Sequence, residues 1–410
     1  MGISLNVNYY NQKEKELFKK YPNHEKIESI VNNEVIISKG EFIAYLMFTQ
    51  QHDKAGWRTY EDLCKRTEKW LSDIDEYISY DEGSILSQVS ANVMKAPGLT
   101  ERIGVSLGLN VVNKLHELNE ADWAITGNEY HPLTGKRLPD FDYEILVASD
   151  GHKFIQVENK GSVAKDNKLK SSSVSQSYSS IKRKKEDILE REKKKGISKH
   201  ENLYYGTIGV LDQKKTAQVW LVDPPAFNIE WDPYKYKVIS RLTFYLKTFK
   251  EVNVQPRLIR LLIQRIKLLI ESEDITTFNK SRLISQKEIL RKFVKKNHFA
   301  SFGNNIAFGQ TLEINSENRK SRFLSMLTKE AIKMVVDQDF DQIIKYNFQL
   351  DNDVKSFGFT ISSKSLIIEF VTNESVKVIH NDFNGEQIAM YEGNIYTTSS
   401  GRVFGELTLQ

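Results

Sequence analysis

Cysteine is almost absent: Cys64 is the only one in 410 residues. A single cysteine excludes a disulfide within the chain and any cysteine-based zinc cluster, and it fits a reducing cytoplasm. Net charge is small as well. Lys and Arg number 58 against 54 Asp and Glu, a balance of +4, so global charge does not mark a nucleic-acid binder and local charge has to make that case. No apolar run approaches the roughly 18 residues that span a bilayer, which argues against a membrane protein. The start, Met1-Gly2-Ile3-Ser4-Leu5-Asn6, lacks a basic segment followed by an apolar one, so no secretory leader is expected. No Gly-Lys-Thr/Ser phosphate-binding motif occurs, so an ATP-driven step would need a separate partner subunit. Internal repeats and long low-complexity segments are missing too. What remains is 40% hydrophobic and 27% charged, a composition suited to a globular chain with a sizeable core and a length suited to two to four domains of roughly 100–200 residues.

The most informative stretch is Leu138-Pro139-Asp140-Phe141-Asp142-Tyr143-Glu144, answered by Gln156-Val157-Glu158-Asn159-Lys160-Gly161. In the first, Asp140, Asp142 and Glu144 share one face of a strand, and Phe141, Tyr143 and Ile145 the other. Ser149-Asp150-Gly151-His152 carries turn residues that let the chain fold back. In the returning strand Ile155 and Val157 share a face, and Gln156, Glu158 and Lys160 the opposite one. Pairing the strands can bring Asp140, Glu158 and Lys160 to one end of a sheet. Two carboxylates and an amine in that arrangement suit Mg²⁺ binding and phosphate-ester hydrolysis.

These residues resemble the PD-(D/E)xK nuclease superfamily, the restriction-endonuclease-like fold. Pro139-Asp140 supplies the PD and Glu158-Asn159-Lys160 the E-x-K. The predicted order around them agrees with that core: a helix over Glu101–Glu117, in which Gly104 and Gly108 allow close packing on a sheet, a strand at Asp122–Thr126, the motif hairpin, a helix over Ser173–Lys195, and strands at Leu203–Leu211 and Ala217–Val222. The resemblance implies an α/β restriction-endonuclease-like core, a mixed sheet flanked by helices, that cleaves DNA by direct attack of water. It implies Mg²⁺ as cofactor, with Mn²⁺ able to substitute, held by Asp140, Glu158 and the backbone carbonyl of Asn159. Lys160 would orient the water or offset transition-state charge. A Glu on the helix before the first strand contributes in many members, which brings in Glu101, although a helix N-terminus favours Glu in any case. For Glu158 and Lys160 the competing reading is an exposed cross-strand ion pair worth roughly 0–1 kcal/mol.

Candidate nucleic-acid contacts follow from local charge. Lys136 and Arg137 lie in the loop before the motif. Gln176 sits early in the helix after Lys160, and some exonuclease branches carry Gln there with a Tyr four residues on, whereas here Tyr178 follows after two. Lys182 and Arg183 open a basic run on that helix, where a solvated face with interleaved acids competes with phosphate contact. Arg291 and Lys295 belong to a basic helix over Ser285–Asn297, which could dock in a groove or cover a helical subdomain.

The chain divides by pattern into an N-terminal helical region (1–98), the nuclease core (99–226), a basic helical subdomain (227–300) and an α+β C-terminal domain (301–410) for recognition or interaction. In the last, a helix over Lys320–Val336 precedes short alternating strands that read as an antiparallel meander, with turns at Asn384-Gly385, Glu392-Gly393-Asn394 and Ser400-Gly401. The expectation is a cytoplasmic Mg²⁺-dependent endonuclease acting on double-stranded DNA in restriction or antiviral defence. One active site per chain calls for a homo-oligomer to cut both strands. A recombination or repair nuclease, an RNA-directed nuclease, and a non-catalytic nucleic-acid- or partner-binding protein on the same fold stay open.

Overall fold

The structure, a computed structural model, describes the chain outside residues 1, 22, 49–59, 82, 91–93, 95–97, 126–142, 146–153, 196–202, 223–231, 286, 289–297, 303, 317–318, 350–355, 362–363, 371–374 and 382–386. Its contacts group the residues into two compact units, Gly2–Ala55 with Trp70–Ser240, and Gly56–Lys69 with Arg241–Gln410.

The first unit is mixed α/β. In chain order its elements are β1 (Gly2–Tyr9), α1 (Gln12–Phe18), α2 (His24–Asn32), β2 (Val35–Ser38), α3 (Lys39–Phe48), α4 (Tyr60–Tyr77), β3 (Ile78–Asp81), β4 (Ser84–Ser87), α5 (Leu99–His116), β5 (Ala124–Ile125), β6 (Tyr143–Ile145), β7 (Ile155–Val163), α6 (Ser172–Lys195), β8 (Leu203–Leu211), β9 (Gln218–Val222) and α7 (Pro233–Glu251). The unit boundaries fall inside α4 and α7. Seven strands form one sheet in the order β2-β1-β9-β8-β7-β6-β5. The pairs β7/β8 and β1/β9 are parallel and the other four are antiparallel. Every residue of β8 and β9 is buried, as expected of central strands covered on both faces.

Helices α5 and α6 cover opposite faces of β7 and β8. On one side Gly104 lies against the backbone of Lys160 and Gly161, and Gly108 lies over Asn159 and Thr207. The expected close packing of these glycines is therefore realised, because any β-carbon there would meet strand atoms. On the other side Val174, Tyr178 and Ile181 of α6 pack with Ile208, Val210, Trp220, Val222 and Tyr10.

Two sequence expectations change here. The stretch 1–98 is not a separate helical region: β1 and β2 extend the core sheet itself. The alternation of Ile3, Leu5 and Val7, all buried, with Ser4, Asn6 and Asn8 is a period-two signal, and the helical spacing downstream masked it. Nor does a strand start at Asp122. Asn119 accepts from Ala121 N–H and Asp122 accepts from Asn119 N–H, and this capping box makes a single 3₁₀ turn over Glu120–Asp122.

The second unit carries α8 (Pro256–Glu271), β10 (His298–Phe302), β11 (Asn305–Ser316), β12 (Arg319–Thr328), α9 (Lys329–Asp337), α10 (Phe340–Lys345), β13 (Ser356–Ile361), β14 (Lys364–Phe370), β15 (Ser375–Asn381), β16 (Gln387–Thr397) and β17 (Arg402–Leu409). The eight strands close into an antiparallel barrel, β10-β11-β12-β17-β16-β15-β14-β13, with β13 pairing back onto β10. Closure removes the free edges that an open meander would leave. Ala300, Phe302, Ala307, Leu324, Met326, Ile395, Val403 and Leu407 form one buried cluster. The boundary expected between a helical subdomain and an α+β domain near residue 300 is thus internal to one unit.

The helix expected over Lys320–Val336 is half strand. Residues 319–328 pair with β11 and residues 321–327 of them also with β17, and Thr328, whose hydroxyl accepts from Ala331 N–H, caps the true helix start. Glu392-Gly393-Asn394 is not a turn but the middle of β16. Gly393 lies against the Glu406 carbonyl of β17, an approach no side chain would permit. Ser400-Gly401 does turn, with Gly401 at φ +84°. Asn384-Gly385 lies outside the described residues.

Candidate active site

The hairpin read from the sequence exists over its described length. β6 pairs antiparallel with β7, setting Tyr143 opposite Val157, Glu144 opposite Gln156 and Ile145 opposite Ile155. The N-terminal end of β6 is therefore directed toward the Glu158 end of that pairing. Asp140 itself lies outside the described residues, as do Lys136, Arg137, Arg291 and Lys295.

Glu158 and Lys160, two residues apart, share the face of β7 that α6 covers. Glu158 is 0% exposed. Its register partner on β8 is Gly206, over which Ile181 of α6 packs. One carboxylate oxygen, Oε1, takes two ammonium groups. Lys160 Nζ lies 2.5 Å away and Lys184 Nζ, from α6, lies 2.6 Å away and donates to it. Both lysine side chains stay about a quarter exposed, 27% and 25%, whereas the side chain of Glu158 is fully buried. The exposed-ion-pair reading of Glu158 and Lys160 is overturned by this burial: an ionised carboxylate withdrawn from water needs partners of this kind.

On the opposite face Asn159 Oδ1 accepts from Thr207 Oγ1 at 2.6 Å beneath α5. The backbone of Asn159 lies past Val157, the last described residue of β7 to pair with β6. Glu101 is exposed on the first turn of α5, the helix over this opposite face.

The helix-borne candidates separate by direction. Gln176 and Arg183 are exposed on α6. Lys182 turns inward, its Nζ 2.7 Å from Oε1 of the fully buried Glu14, and the same oxygen accepts from Tyr178 Oη at 2.9 Å. Burial and that hydrogen bond push the Tyr178 phenol up to about 12. Sequence reasoning took Lys184 as one cation of the run Lys182-Arg183-Lys184-Lys185 and did not single it out beside Glu158. The signal was present: Val174, Tyr178 and Ile181 define the sheet-facing stripe, and residue 184, one turn beyond Ile181, lies on its shoulder.

The donor chemistry around Glu158 fits a hard divalent cation. Glu158 offers a carboxylate, and Gln156 Oε1, two residues back on the same face, is a buried oxygen without a hydrogen-bond partner among the described residues. Hard cations take such carboxylate and amide oxygens. Among the described residues no three His, Cys, Asp or Glu side chains come together as a ready-made metal cage. None of the described helices is long and apolar enough to cross a membrane.

No family model, no curated protein and no solved structure matches this chain.

Proposed function

We propose that the chain is a Mg²⁺-dependent DNA endonuclease on a restriction-endonuclease-like core, working in restriction or defence against foreign DNA. The observation that carries the reading is the Glu158–Lys160 pair: a fully buried carboxylate and the ammonium of a partly exposed lysine on one face of one strand, 2.5 Å apart. The order α5-β5-β6-β7-α6-β8, with β8 parallel to β7 beyond the helix, supports it. The defence role rests on fold-level resemblance.

Asp140, Glu158 and the Asn159 carbonyl would hold Mg²⁺, with Mn²⁺ as substitute. A bound divalent cation lowers the pKa of a coordinated water and polarises the scissile phosphate. The rest of the chemistry belongs to the chain. Burial fixes the Glu158 carboxylate, so little reorganisation is needed when charge develops nearby. Lys160 carries its ammonium on a flexible stem and would offset charge as the leaving oxygen departs. Surface cations such as Arg183 would supply affinity for the DNA backbone without reading sequence.

The test is cleavage of supercoiled plasmid and phage DNA with Mg²⁺ and with EDTA, for wild type, Asp140→Ala and Lys160→Ala. Metal-dependent nicking or cutting that both substitutions abolish is the expected result. Identical behaviour of all three proteins on DNA and RNA would overturn it. DNA binding without metal binding or cleavage would indicate a binding module.

A further inference from the structure

We propose that Lys184 is a second working lysine of this site, a phosphate-positioning residue delivered by α6 rather than by the motif strand. The inference rests on the nuclease reading of Glu158 and Lys160 and goes beyond the E-x-K itself. Two observations carry it. Lys184 Nζ and Lys160 Nζ contact the same oxygen of Glu158, at 2.6 and 2.5 Å. Each lysine side chain is also about a quarter exposed, so neither is sealed into the interior with the carboxylate.

Two ammonium groups on one oxygen repel each other, which makes one of them readily given up to another anion. A phosphodiester oxygen is such an anion, and a lysine binds it as a point charge on a mobile stem. The base of Lys184 is held firmly. Ile181, one turn earlier, is fully buried against Gly206, and Lys185, the next residue, is 7% exposed. The helix therefore fixes the Cα while the four-carbon chain lets the head shift from carboxylate to phosphate. Lys184 also competes with any divalent cation for Glu158. Its removal should accordingly have opposite effects on two ligands, tightening the metal and weakening the DNA.

The experiment compares wild type, Lys184→Met and Lys184→Arg. Mn²⁺ affinity is measured by calorimetry without DNA, the affinity for a labelled duplex by anisotropy in EDTA, cleavage under saturating Mg²⁺ and DNA, and thermal stability. For Lys184→Met the expected results are Mn²⁺ affinity several-fold tighter, duplex affinity several-fold weaker in EDTA, and kcat reduced at least about tenfold. Lys184→Arg is expected to recover most of the duplex affinity. A Lys184→Met protein that melts earlier but keeps wild-type Mn²⁺ affinity, duplex affinity and kcat would overturn the proposal and leave Lys184 as a brace between α6 and β7. If wild type neither cleaves nor binds Mn²⁺, the nuclease reading fails. The duplex arm then decides the lysine separately: weaker binding by Lys184→Met supports its anion role, and unchanged binding overturns it.

Discussion

Gly104 of α5 and Gly161 of β7 face each other at a distance that leaves no room for a methyl group on either. A β-carbon on Gly104 would run into the Gly161 nitrogen and the Lys160 carbonyl, and one on Gly161 would run into the Thr100 carbonyl. Both obstacles are backbone and cannot rotate away. Gly104→Ala and Gly161→Ala are each expected to destabilise the first unit by about 1–3 kcal/mol, the usual cost of overpacking. Urea unfolding followed by tryptophan fluorescence would measure it. Because Gly161 directly follows Lys160, the displaced strand should also reduce cleavage. An unchanged midpoint in both variants would refute the packing.

Glu158→Gln keeps the volume of the side chain and removes the charge that holds two lysines. Cleavage is expected to be lost. Lys160→Ala should cost about 10²–10³ in kcat, as for other groups that stabilise developing charge. The stability loss of Glu158→Gln should stay below the roughly 3–5 kcal/mol seen when one member of a fully buried pair is removed, because Lys160 and Lys184 are both about a quarter exposed and can turn to water. Cleavage assays and urea midpoints on the same preparations separate the two effects. A Glu158→Gln enzyme with wild-type kcat would remove Glu158 from the chemistry.

The hairpin, the helix bounds around it and the role of Gly104 and Gly108 were legible because local patterns encode them: period two in β6 and β7, period 3.6 in α5 and α6, and glycine where a helix meets a strand. Three features were not. The membership of β1 in the core sheet depends on a parallel pairing with β9, from Asn6–Gln218 to Tyr9–Leu221, across more than 200 residues, and no local signal reports that partner. The barrel closes by β10 finding β13 and β12 finding β17, again long-range. Lys184 looked like one cation in a run of four, and only the angle between α6 and β7 assigns its head to Glu158 rather than to water or, as for Lys182, to Glu14.

In the second unit Arg402 of β17 and Glu251 of α7 form an ion pair at 2.8 Å, their side chains 3% and 5% exposed. Arg402 also donates to Thr248 Oγ1 at 3.2 Å. Glu251→Gln leaves the guanidinium buried without its countercharge and is expected to cost about 3–5 kcal/mol. The double substitution Glu251→Leu with Arg402→Met should recover much of that loss, since an apolar pair of similar size escapes the desolvation penalty. Thermal melts of the single and double variants test this, and a double variant no better than Glu251→Gln would contradict it.

Tyr178 links the sheet-facing stripe of α6 to α1. Its ring stacks on Tyr10 with centroids 4.0 Å apart and planes 7° apart, and its hydroxyl donates to Glu14. Burial first, and then the hydrogen bond to Glu14, raise its pKa to about 12. The folded state therefore prefers the protonated phenol. That preference contributes fully below the unfolded pKa near 10 and is lost as the pH rises through about 12. Wild type should accordingly lose stability between about pH 10 and 12 beyond what Tyr178→Phe loses, because phenylalanine has no proton to release. Urea midpoints of both proteins at intervals from pH 9 to 12 give the comparison. Parallel curves would mean that Tyr178 titrates alike in the folded and unfolded chains, and that the Glu14 hydrogen bond does not hold its proton.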